Sequence, residues 1–149
     1  MIGRSRTQGS CCRDTAKTMS QENVEIVRSW FAALANGELA PELWHPDLVV
    51  DNTPEFPITG PYCGHEGLQT WWDDLSEVVD GATVVLDEVE TLDRDRILTV
   101  QRITGTFSNT RIPVNAPWIA IFVVREEKLQ RVSGFSSRRQ ALKAVGLSE

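Results

Sequence analysis

The chain has 149 residues, enough for one domain around one core, and 41% of them are hydrophobic and 24% charged. Its formal net charge is −6 and its sequence pI is about 5.0. An acidic surface repels phosphate backbones, so no nucleic-acid partner is expected. No apolar run approaches the ~20 residues that cross a bilayer, so no membrane segment is expected either. The cysteines are Cys11, Cys12 and Cys63; they form no C-x-x-C pair and their odd count leaves one unpaired, which fits a reduced, cytoplasmic chain.

Met1 to Thr18 is a polar segment carrying Arg4, Arg6, Arg13 and Lys17 against Asp14. Its apolar residues are too scattered for a signal peptide, and a disordered extension is expected, with the domain occupying residues 19–149. Met19 is itself a candidate translation start, because the residues after it already have the form of a domain opening.

Ser20 is placed to cap a first helix, in which Val24, Val27, Phe31 and Leu34 recur at helical spacing with Trp30 widening the stripe. Asn36-Gly37 stops it. A short second helix is predicted near Pro41 to Trp44, ended by Pro46. Leu48, Val49 and Val50 begin a strand, and the Pro- and Gly-rich stretch from Asn52 to Gly64 reads as a loop. A third helix carries Leu68, Trp71, Trp72, Leu75, Val78 and Val79, with Gly81 as its stop. Beyond it, Thr83 to Leu92, Arg96 to Phe107, Ile112 to Val124 and Leu129 to Phe135 are rich in β-branched residues and separated by short polar breaks. Strands joined this briefly run antiparallel. Ser137 to Gln140 has a capping-box pattern opening a short last helix. The order is α+β, with helices on one face of an antiparallel meander.

The opening ENVEIVRSWFAALANGEL, the segment WHPDLVVDNTPEFPITGPYCGHEGL and the close RRQALKAVGL resemble the SnoaL-like branch of the nuclear-transport-factor-2-like superfamily. The resemblance covers about Ser20 to Leu147. It implies a curved antiparallel sheet wrapped into a cone, N-terminal helices closing an internal pocket, a short C-terminal helix, and often a homodimer through the convex sheet face. The superfamily includes ketosteroid isomerases, polyketide cyclases, limonene-type epoxide hydrolases, dehydratases and pocket proteins without known chemistry.

In the strand from Leu48 to Asn52, Val50 and Asn52 share one face and Asp51 the other. Anchored on Pro46-Asp47, the isomerases' catalytic aspartate falls at Asn52, and a register slip of one residue puts Asp51 in the pocket. The hydrolases resemble Tyr-x-Asn-x-Pro here, and Asn52 and Pro54 match while Val50 replaces the tyrosine. Arg102 matches the arginine that bridges two carboxylates in those enzymes, but Thr104 stands at one carboxylate position, and Val132-Ser133-Gly134 replaces the strand holding the other. The isomerases' oxyanion-hole tyrosine falls at Trp30 and their hydrogen-bonding aspartate at Ile119. Both acid–base pairs are therefore missing.

The candidate catalytic residues are Asn52, Arg102 and Asp51, and the candidate ligand-binding residues are Trp30, Val50, Trp72, Thr104, Ile119, Val132 and Gly134. With Arg102 toward the pocket, it and Asn52 orient an anionic or carbonyl-bearing hydrophobic molecule. With Arg102 on the wet face, it is a surface residue. With Ile119 inward, Trp118 and Phe122 form an outer apolar patch suited to a homodimer. His45 and His65 have no metal-binding spacing, and no Gly-rich phosphate loop is present, so no metal or cofactor is expected. Three functions fit: a small-molecule pocket protein; an isomerase-, cyclase- or hydratase-type enzyme using Asn52, Arg102 and Asp51; or a dimeric interaction module without a ligand.

Overall fold

The computed structural model describes residues 11–53, 58 and 60–147, with side chains in the first helix from residue 21. Met1 to Ser10 lie outside the described residues. Helix α1 spans Cys11–Ala35, so its backbone begins nine residues before the Ser20 start expected from the sequence. Val27, Trp30, Phe31 and Leu34 form its buried stripe. A 3-10 turn at Pro41–Leu43 replaces the expected second helix.

Strand β1 then runs Trp44–Asn52, straight through Pro46. The pairing register shifts between Trp44 and Val49, and a proline without an N–H is tolerated at such an irregularity. Strand β2, Tyr62–Cys63, pairs antiparallel with β1. Helix α2 spans Gly64–Val78 and buries Leu68, Trp71 and Leu75 at i, i+3 and i+7. It gives way directly to strand β3, Val79–Thr91. Gly81 is therefore not a helix stop. It sits at φ 64° where the β3 pairing skips between Asp80 and Thr83.

Strands β4 (Arg96–Phe107), β5 (Pro113–Arg125) and β6 (Lys128–Phe135) complete the meander, within a residue or so of expectation. The sheet order is β2-β1-β6-β5-β4-β3. One pair, β1 with β6, is parallel, which the antiparallel expectation did not contain. Helix α3, Arg138–Ala144, starts as the capping pattern predicts: Ser137 Oγ accepts from the Gln140 N–H at 3.1 Å.

Helices α1 and α2 lie on one face of the sheet, α1 against β3 and α2 against β1. The main core fills the space between. Helix α3 covers part of the other face, where Ala141 and Leu142 pack with Leu98 and Ile121. Trp118 and Phe122 are 2% and 0% exposed in the main core, so they are inner residues and not an outer dimer patch. Ile119 points the opposite way, into the α3 cluster. The expected assignment of faces on β5 is thus reversed. Both faces of that strand are apolar, so polarity carries no information about direction there. No described helix is long and apolar enough to cross a membrane.

Candidate functional site

Alternation and register divide the inner sheet face into rows. In the first row Ile97, Phe122, Val132 and Val50 lie abreast on β4, β5, β6 and β1. The rings of Trp30, Phe31 and Trp44 close over Phe122, with centroids 5.7, 5.7 and 6.5 Å away. This end of the cone is plugged by aromatic side chains. The next row is Thr99, Ala120, Gly134 and Asn52. Ala120 and Gly134 are its short members, and the Asn52 amide and the Trp118 indole N–H fill the space above Gly134. Beyond this row Gln101 stands opposite Trp118.

Asn52 is committed to structure on both sides of its amide. Its Oδ1 accepts from Trp118 Nε1 at 3.1 Å, and its Nδ2 donates to the Ile58 carbonyl at 2.9 Å. A methyl at Gly134 would overlap Asn52 Oδ1 and Trp118 Nε1, so glycine leaves the space in which those two groups meet. Val50 and Asn52 face inward as the gap-free anchoring predicts. Asp51 faces outward and accepts from Arg131 Nη2 at 2.6 Å, so no register slip brings it into the interior.

Arg102 is also outside. It donates to both oxygens of Asp87, Nε to Oδ2 at 2.8 Å and Nη2 to Oδ1 at 3.1 Å, with side chains 39% and 35% exposed. Those charge-assisted bonds hold the Asp87 carboxyl below the usual carboxylate range. Thr104 bonds to Thr83 on the same outer face. Arg102 and Thr104 therefore do not meet Asn52, and the expected anion-orienting pair does not form. The sequence misled because β4 is inverted in polarity: Leu98 and Val100 point outward, where α3 partly covers them, while Thr99 and Gln101 point inward.

Thr99 and Gln101 are the buried polar side chains among the described residues, each 0% exposed. Thr99 Oγ1 and both amide atoms of Gln101 have no hydrogen-bond partner. Buried polar groups are nearly always bonded, and each exception costs roughly 1–3 kcal/mol in the folded chain. An Ile-x-Thr-x-Gln-x-Ile alternation from Ile97 to Ile103 was the available signal for them. Trp44 Nε1 and Thr53 Oγ1 are likewise buried and unpartnered.

Of the aromatic walls, Trp30 is fully buried and donates Nε1–H to the Leu39 carbonyl at 3.0 Å. Trp71, not Trp72, is the inner partner, with ring centroids 5.8 Å from Trp30 and 6.1 Å from Trp118. Trp72 instead lines an open surface cleft of about 630 Å³ with Gly37, Pro41, Glu42, Gln69 and Asp73. A second open cleft, about 480 Å³, is lined by Ile58, Gly60, Tyr62, Asp74, Glu77 and Val78. There Tyr62 Oη donates to Asp74 Oδ2 at 2.8 Å. Burial, then that hydrogen bond and the carboxylate's charge, push the phenol pKa up to about 12. The histidines are engaged elsewhere, His45 with Glu126 at 3.3 Å and His65 with the Trp44 carbonyl at 3.1 Å. No group of three or more metal-ligating side chains occurs among the described residues.

The SnoaL-like domain family matches residues 27–132. No curated protein sequence matches the chain. Among solved structures, an NTF2-like protein from Burkholderia thailandensis E264 is similar at 21% identity and a TM-score of 0.70, covering 77% of this chain and 90% of that one. Bal32a, from a soil-derived mobile gene cassette, is similar at 18% identity and a TM-score of 0.69, covering 78% and 89%. TerC, co-crystallised with polyporic acid, is similar at 16% identity and a TM-score of 0.67, covering 78% and 92%.

Proposed function

The chain belongs to the SnoaL-like domain family, and on that premise we propose that it binds a small hydrophobic molecule on the inner sheet face, beside Thr99, Gln101 and Trp118. One observation carries this reading: polar side chains stand unpartnered at the buried floor of an otherwise aromatic interior. A domain that only folded or only dimerised would gain stability from apolar residues at those two positions. Ala120, paired with Thr99 across the β4–β5 ladder, carries only a methyl and puts no large side chain beside that hydroxyl. TerC, which shares the fold, was crystallised with polyporic acid, in keeping with a small-molecule role.

Binding is favoured over acid–base catalysis. The inner face offers amides and hydroxyls at Asn52, Thr99 and Gln101, and these do not accept a proton at neutral pH. The carboxylates of Asp51 and Asp87 are turned outward into ion pairs. The anionic ligand expected from Arg102 gives way to an uncharged one. A homodimer through the outer face remains part of the proposal, with the row Val85, Arg102 and Pro117 in place of Trp118 and Phe122.

The test is calorimetry and native mass spectrometry with a panel of flat neutral compounds. One compound per chain, with a change in tryptophan fluorescence from Trp71 and Trp118, is expected. Absence of binding across the panel at millimolar concentration overturns the reading.

A further inference from the structure

We propose that the Gln101 carboxamide reads its ligand through a paired edge, so that the interior selects uncharged planar molecules in which a hydrogen-bond acceptor and an N–H or O–H lie side by side. This rests on the small-molecule reading above and adds its chemical class. A primary carboxamide carries an acceptor oxygen and a donor NH₂ on one planar group. Both atoms are buried and unpartnered at Gln101. A ligand with only an acceptor, or only a donor, leaves one of the two unsatisfied. A lactam, an imide or a neutral carboxylic acid satisfies both at once.

The surroundings fix the orientation and the charge. Gln101 lies opposite Trp118 across the β4–β5 pair. Trp118 is held by its bond to Asn52 and stands 6.1 Å from the Trp71 ring, so a flat molecule meets aromatic surface beside the amide. Thr99 is two residues along the same strand face, about 7 Å away, and supplies a further hydroxyl to a second polar group on the ligand. Arg102 and Asp87, next in the strand pairing, neutralise one another on the outer face. No buried side chain among the described residues carries a charge, so an ionised ligand would enter without a counter-ion.

Four probes of one shape separate the possibilities: 2-quinolone, which has the adjacent C=O and N–H; quinoline, which has the acceptor alone; naphthalene, which has neither; and 2-naphthoic acid, titrated with pH. Calorimetry on the full chain should rank 2-quinolone at least tenfold tighter than quinoline or naphthalene. Affinity for 2-naphthoic acid should fall tenfold per pH unit above the acid's own pKa. Gln101→Leu should abolish the 2-quinolone advantage and leave naphthalene as tight or tighter. The same variant should raise the melting temperature of the ligand-free protein, because two unpartnered polar atoms are gone. Equal affinities for 2-quinolone, quinoline and naphthalene would overturn the paired edge while leaving a pocket. Binding of 2-naphthoate independent of pH would overturn the exclusion of charge. No binding of any probe would remove the small-molecule reading itself. If Gln101→Leu fails to fold, Gln101→Met, which keeps the length of the side chain without a donor or a strong acceptor, must keep the fold and lose the 2-quinolone preference, or the assignment is wrong.

Discussion

Trp118 donates its indole N–H to the side-chain oxygen of Asn52 across 3.1 Å, joining strands that are not neighbours in the sheet. The bond passes over β6 at Gly134. The other end of the same amide holds the Ile58 carbonyl, so one side chain ties the inner wall to the loop after β1.

Replacing Asn52 by Ala strands the Trp118 donor and the Ile58 acceptor together. A loss of about 1–3 kcal/mol in urea unfolding is expected, with faster amide exchange around Ile58. Unchanged stability and exchange would mean that neither bond matters to the fold.

Gly134→Ala should cost more, about 3 kcal/mol or above, because its methyl meets both partners of that bond at a packed position. In an Asn52→Ala background the same substitution should cost less. Additive costs in the double-mutant cycle would show that the two positions do not compete for the same space.

Tyr62 is the only tyrosine of the chain, so phenolate absorbance reports it alone. Its ordinary value is 10.0, and the folded value of about 12 lies above it. The protonated phenol, buried and bonded to Asp74, therefore contributes stability that is full below pH ~10 and is lost as pH rises through about 12. Asp74→Asn should bring the midpoint part of the way down toward 10 in protein still folded by circular dichroism, because burial, the larger cause, remains. A midpoint near 10 in the wild type would place the phenol in water.

Arg102→Met should leave small-molecule binding unchanged and return the Asp87 carboxyl to its ordinary range in a carbon-detected titration. The Asp87 pKa is depressed in the folded chain, so its contribution is present above the ordinary carboxylate range and fades as pH falls through the folded value below it. A specific loss of ligand affinity in this variant would put Arg102 back in the site.

Wild-type protein should sediment as a dimer, and Val85→Asp on the outer face should give folded monomers. Trp118→Lys should instead unfold the domain, since that ring is 2% exposed in the core. A monomeric wild type at micromolar concentration would discard the interface.

The fold was legible because its signals are local. The stripe of Leu68, Trp71 and Leu75, the Ser137 cap and the β-branched runs each specify an element without reference to the rest. Strand direction was legible where one face is polar, as with Asp51 opposite Val50 and Asn52. It was not legible on β4 and β5. There the outer face is partly covered by α3, so Leu98, Ile119 and Ile121 are apolar on the side that sequence polarity assigns to the core. The inward Gln101 breaks the same rule from the other side. Arg102 looked unpartnered because its carboxylate, Asp87, lies on the adjacent strand, where the β3 register skips between Leu86 and Glu88.

The parallel contact between β1 and β6 also sets an order of events. Strands β3 to β6 assemble by short reversals, each strand finding the one before it. Strand β1 must wait for β6, from which β2, α2 and three further strands separate it along the chain, and the entropic cost of that long closure comes before its contacts form. The meander can therefore form while the first strand is still unplaced, and Trp118 meets Asn52 only once β6 lies between their two strands. In pulse-labelled refolding, amides of β4 and β5 should be protected before those of β1.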